Sequence, residues 1–151
     1  MGFNLKVRYI PIVFLAVLTS SAFGADAPPK PVKVTAAQAA GPIFSRKDAV
    51  NSTGVDGPST DVALMQSADK KFTTGVYKAG PSDLQVDGDG YPEDEFFYLL
   101  TGGVTLTSTD GSVLDVRPGE SVSLPKGWKG RWTTQGYTKY YVTYNAEPGK
   151  N

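Results

Sequence analysis

From Phe72 onward the chain is built of short runs in which apolar residues dominate or alternate with polar ones, each closed by a turn signal. DEFFYLL, GVTLTST, SVLDV, ESVSLP, GRWTT and TKYYVTY recur at intervals of roughly 8 to 12 residues, the spacing of a sandwich or barrel. Asp110-Gly111 suits a tight hairpin, Pro118-Gly119 a turn with positive φ at its second residue, and Pro125-Lys126-Gly127 another. The pattern predicts an all-β unit of short antiparallel strands over residues 72–147, with Gly102-Gly103 as a turn at a strand end.

Side chains two apart share a face of a strand. Glu95, Phe97 and Leu99 therefore point one way, and Phe96, Tyr98 and Leu100 the other. Both rows are apolar, so both faces of this strand are expected to be covered: one by the barrel interior, the other by a second sheet or a second subunit. Tyr137, Tyr140, Tyr141 and Tyr144 read as a half-buried final strand, a setting that suits tyrosine.

The chain upstream is organised differently. Residues 43–71 read as an N-terminal segment packing on the barrel, and residues 25–42, rich in Pro, Ala and Gly, as a flexible linker or arm. Its one helix candidate, KVTAAQAA, is too short to be stable alone. Residues 1–24 have Lys6 and Arg8, then an apolar stretch from Tyr9 to Val17, then small residues at Ala22-Phe23-Gly24, the layout of a secretory signal peptide cleaved before Ala25. A membrane anchor would need roughly 20 apolar residues, and Pro11 interrupts a shorter run. The expected location is periplasmic or secreted, with no membrane insertion after cleavage.

At 151 residues, 40% of them hydrophobic, the chain is long enough for one domain with a real core. Loss of residues 1–24 leaves 13 basic residues against 15 acidic ones, with no basic stripe for nucleic acid. Cysteine and histidine are absent, which removes disulfides, thiolate nucleophiles and zinc-thiolate clusters. Without either residue to activate a hydroxyl, and without a G-x-S-x-G stretch or a phosphate-cradling glycine loop, nucleophilic catalysis has no support.

Two spacings carry a resemblance. Gly119, five residues, Pro125, one residue and Gly127 match the second half-motif of the cupins, and Glu95, six intervening residues and Gly102 match the end of the first. Residues 91–142 are similar in particular to the cupin branch that includes the ureidoglycine aminohydrolase type. The resemblance implies a single-domain cupin jelly-roll β-barrel whose interior is the working site. In metal-binding members the first motif supplies two histidines and a glutamate and the second one further histidine. Those histidine positions fall here on Asp89 and Tyr91, or with a one-residue offset on Gly88 and Gly90, and on Gly130. Only Glu95 remains of the set, so no metal and no cofactor is expected. Asp89 and Glu95, with Glu93, are weak candidates for a hard cation, which prefers oxygen ligands.

The expected ligand-binding residues are Tyr91, Glu95, Phe97, Trp132 and Lys139. Glu93 and Asp94 read as a solvated entrance, whereas Glu95, in the row of Phe97 and Leu99, needs a buried partner. Lys139, where similar cupins also tend to have a lysine, is that partner or else leaves Glu95 to receive the amine, amide or ureido group of a ligand. Arg131 lies near but has the wrong parity. Trp132 would floor a pocket or fill the core, and Trp128 and Lys129 would sit at the rim. Three readings follow: a non-catalytic binder of a small polar, nitrogenous molecule; a ureidoglycine aminohydrolase-like hydrolase or isomerase with Glu95 as general base; and an interaction module that forms a homodimer through its outward aromatic row.

Overall fold

The computed structural model describes residues 29–54 and 57–147, so the expected signal peptide lies outside the described residues. Among the described residues eight strands form the fold: β1 (Val50–Gly54), β2 (Gly57–Gln66), β3 (Phe72–Ala79), β4 (Ser82–Val86), β5 (Asp94–Ser108), β6 (Val113–Val116), β7 (Ser121–Leu124) and β8 (Gly130–Tyr144). All pairings are antiparallel, in the order β1-β2-β3-β8-β5-β6, with β4 also on β8 and β7 also on β5. The fold is an all-β cupin jelly roll.

The two long strands make the architecture. The DEFFYLL and GVTLTST runs are one strand, β5, and GRWTT and TKYYVTY are one strand, β8. Gly102-Gly103 is thus not a turn at a strand end but a kink within a continuous strand. Gly102 has a φ of 78°, and a Cβ there would collide with the carbonyl oxygen of Gly136, itself at a φ of 123°. The β5–β8 register shifts on either side of this point, between Leu99 and Thr101 and between Gly103 and Thr105. Glycine lets the paired strands bend together where a side chain would hold them apart. Beyond the bend β8 pairs with β4 in place of β3, and β5 with β6 in place of β7.

The bend brings the inner faces of both halves into one core. Phe97, Leu99, Val122, Leu124 and Tyr141 from one half pack with Val104, Leu106, Val116 and Trp132 from the other. A second cluster lies on the opposite face of β2, β3 and β8, where Val62, Val76 and Tyr140 meet Ile43, Val34 and Phe44. Residues 50–66, within the segment expected to pack on the barrel, supply two strands of the sheet itself. Upstream, Ala36–Ala39 form a one-turn helix closed by a capping box between Thr35 and Gln38, and Pro42–Ser45 form a 3-10 turn. Burial of Ala39 and Ile43, rather than helix length, holds this piece in place.

That cover stops short of the outer row of β5. Phe96 and Tyr98 are 46% and 40% exposed, so the expectation that both faces of this strand are covered does not hold within one chain. The apolar patch of the N-terminal segment reaches Tyr140 on β8 and goes no further.

Candidate functional site

Glu95 is 5% exposed and faces the core, as its parity requires. Its Oε1 accepts from Lys139 Nζ at 2.6 Å, and its Oε2 accepts from the Tyr91 hydroxyl at 2.6 Å. Both side chains of the ion pair are buried. The Lys139 ammonium stands over four rings, at 4.8 Å from the centroid of Phe97, 5.2 Å from Trp132, 5.4 Å from Tyr77 and 5.7 Å from Tyr137. A desolvated ammonium draws on both kinds of contact, the carboxylate at its head and the negative ring faces around it.

Local structure explains how these groups meet. Tyr91 lies before β5, fixed by two backbone bonds to the second turn: its N–H donates to Trp128 at 2.8 Å and its carbonyl accepts from Gly127 at 2.7 Å. Gly90 permits that approach, because a Cβ there would collide with Gly127. The Tyr91 ring then stacks on Trp132 at 6.2 Å and 13°, and Phe97 tilts against the same indole at 5.5 Å. Burial, then the charge of Glu95 and the bond to it, hold the Tyr91 phenol well above its usual pKa, which keeps it a proton donor. Burial does the same for Tyr137.

The five residues expected to bind ligand, Tyr91, Glu95, Phe97, Trp132 and Lys139, thus form one cluster. Sequence reading missed Tyr77, Tyr137 and, above all, Asp61. Asp61 on β2 is 7% exposed and lies in the same cross-strand row as Tyr77, Lys139 and Leu99. Burial pushes its carboxyl up to about 6, with Tyr141 and Lys139 pulling the other way. Its Oδ1 and the Tyr141 hydroxyl are buried neighbours, yet neither makes a well-formed hydrogen bond. The signal available in sequence was an aspartate in mid-strand, where that residue is disfavoured.

Other expected residues lie elsewhere. Arg131 points outward and pairs with Asp83 on the surface. Trp128 is half-buried and donates from Nε1 to Ser108 Oγ at 3.1 Å. Asp94 is exposed and caps the second turn by accepting from the Lys126 N–H at 2.9 Å. Glu93 is not part of a solvated entrance: it is half-buried beside Thr143 and Asn145, and burial raises its pKa. An open groove of about 490 Å³ beside the kink, lined by Gly102, Gly103, Thr105, Asp115, Arg117 and Gln135 among others, contains none of these site residues. Among the described residues, no side chain lining it is a buried polar group without a hydrogen-bond partner.

A transition metal of the kind cupins hold does not fit these residues. A histidine at Gly130 would collide with the Thr107 carbonyl oxygen and the Trp128 ring. Asp89 is exposed, and the two oxygens of Glu95 are engaged by Lys139 and Tyr91. Among the described residues no three acidic side chains gather to hold a cation, so the weak candidates Asp89 and Glu95 do not form a site together.

Comparison with known proteins agrees with this fold. The model of the EutQ-like cupin domain matches residues 66–141, and the chain belongs to that family. A Rhizobium leguminosarum protein of unknown function is similar in structure, with a TM-score of 0.53 at 24% identity over 78% of this chain and 99% of that one. A Pseudomonas syringae protein of unknown function gives a TM-score of 0.53 at 23% identity over 57% of this chain; the match spans 36% of the Pseudomonas protein. The Clostridium difficile EutQ protein matches at 21% identity over 60% of this chain and 70% of that one, with a TM-score of 0.46. No curated protein matches the chain.

Proposed function

We propose that the protein is an exported cupin whose barrel binds a small polar, nitrogenous molecule without a transition metal. The observation that carries this reading is the buried Glu95–Lys139 pair, bonded to Tyr91 and ringed by aromatic side chains, at the position where metal-binding cupins place their ligand set. Buried charges are expensive to hold, and an apolar filling of similar volume would serve stability as well or better. A retained polar cluster with convergent donors and acceptors is what a specific pocket needs.

A ureidoglycine aminohydrolase-like reaction with Glu95 as general base is the weaker reading. Lys139 and Tyr91 both occupy the oxygens a base would use. The homodimer reading draws on the exposed Phe96 and Tyr98. Export to the periplasm or beyond rests on the layout of residues 1–24, and N-terminal sequencing of envelope-extracted protein should find a start near Ala25 rather than Met1.

A thermal-stability screen against amines, ureides, sugars and carboxylates, in chelator and then with divalent ions, tests the binding reading. Stabilisation by one class in chelator, without turnover, is the expected result. Turnover that appears only with a metal would replace it with the enzyme reading, and a melting temperature that responds to protein concentration alone would favour the dimer.

A further inference from the structure

We infer that Asp61 and Tyr141 form the cation-binding end of the barrel site, where they receive the protonated amine of a small ligand. This inference rests on the barrel being the binding site and names the chemical class that it takes.

Three observations carry it. The first is a pair of poorly satisfied atoms: Asp61 Oδ1 and the Tyr141 hydroxyl are both buried and lie side by side, yet the contact between them falls short of a well-formed hydrogen bond. Such groups are rare and call for an occupant. An ammonium group, with three donors, satisfies an acceptor-only carboxylate and a phenol oxygen together.

The second observation is Gly75. It lies in the middle of β3 opposite Tyr141, with Ala63 beyond it on β2, and its backbone is not in the left-handed region. A Cβ at residue 75 would collide with the Tyr141 ring and hydroxyl. The glycine therefore serves space, not conformation: it lets the phenol lie across β3 toward β2, where Asp61 stands.

The third observation is charge. The groups facing Asp61 are Tyr77 on β3, Tyr141 and Lys139 on β8, and Glu95 on β5. Lys139 is the sole cation in that set and is bonded to Glu95. One negative charge is left over when Asp61 is ionised. A monocation restores balance inside the core, whereas an anion would add to an uncompensated charge. Burial raises Asp61 to about 6, so it is mostly ionised at neutral pH and competent to bind.

The test uses n-butylammonium, with butyrate and n-butanol as probes of the same size and different charge, at matched ionic strength. Binding is read by thermal shift and tryptophan fluorescence on the wild-type chain, Asp61→Asn and Tyr141→Phe. Butylammonium should stabilise the wild type, butyrate and butanol should not, and Asp61→Asn should weaken binding by roughly tenfold or more. Binding should also weaken between about pH 7.5 and about pH 5, as Asp61 takes up its proton. Tyr141→Phe, which leaves the charge in place, should weaken it less. Equal binding of butylammonium by Asp61→Asn, or equal stabilisation by butyrate, would overturn the inference. Stabilisation by ureides or sugars but not by butylammonium would overturn it while leaving the barrel site standing. Silence from every probe would remove both.

Discussion

Lys139 Nζ and Glu95 Oε1 meet at 2.6 Å inside the barrel, on strands that are direct neighbours. Neither side chain reaches water, so each is compensated mainly by the other. Lys139→Met, which leaves a buried carboxylate with only Tyr91 beside it, should lower stability by about 3 to 5 kcal/mol, the usual penalty for breaking a buried pair. Glu95→Gln, which keeps a hydrogen-bonding group, should cost about 1 to 3 kcal/mol. The double variant Glu95→Leu/Lys139→Met should recover most of the loss. Asp94→Asn, at an exposed position, should change little. Urea unfolding of the four variants checks the series.

Asp61 predicts an unusual dependence on pH. Its folded pKa, about 6, lies above the ordinary 3.8, so the native state holds its proton more tightly than the unfolded chain. The stability that this confers is complete below the unfolded value and is lost as pH rises from 3.8 through about 6. The ionised form thus costs the native state on the order of 3 kcal/mol at neutral pH. Asp61→Asn should be more stable than the wild type at neutral pH, and the difference should vanish toward acid. Half-buried Glu93 acts in the same direction, so the wild-type minus variant difference, not the raw profile, isolates Asp61. Unfolding free energies measured from about pH 4 to about pH 7 supply it.

The kink has its own test. Gly102→Ala sets a Cβ against the Gly136 carbonyl at a positive φ, and should cost about 1 to 3 kcal/mol. Gly111, also at positive φ but with open space around it, should lose about 1 kcal/mol or less on the same change. A comparison of melting temperatures separates the collision from the backbone strain that both share.

Metal content offers a further check. The displaced histidine positions and the engaged oxygens of Glu95 predict that protein dialysed without chelator carries no stoichiometric iron, manganese, nickel or zinc. Elemental analysis that finds close to one such ion per chain would contradict the account of the site.

Much of this was legible in sequence, and the gaps have physical causes. The turn residues and the two cupin spacings mark the jelly roll, and parity alone places Glu95 inward with Phe97. The continuity of β5 and β8 was hidden because Gly102-Gly103 and Gly136 look like strand ends, whereas here they let paired strands bend. Asp61 was hidden by its own neighbours. Val62 and Leu64 form the apolar row of β2, which would put Asp61 on the solvent side of a strand buried on one face. At Asp61 β2 is covered on both faces, by Ile43 and Phe44 outside and by the barrel within, so this polar residue is buried too. No local pattern reveals that, because the covering residues lie far along the chain.

The central claim is that a ligand binds inside the barrel, at Glu95 and Lys139, without metal. Trp132 stacks on Tyr91 and stands under Lys139, and the chain has 2 tryptophans, so Trp128→Phe leaves a reporter in the site alone. Titration of that variant in chelator, with whichever compound stabilises the wild type most, should give a saturable change in Trp132 fluorescence. The same titration on a background of Glu95→Leu/Lys139→Met should give none. Binding without any response from Trp132, or an undiminished response after the pair is removed, would contradict the account.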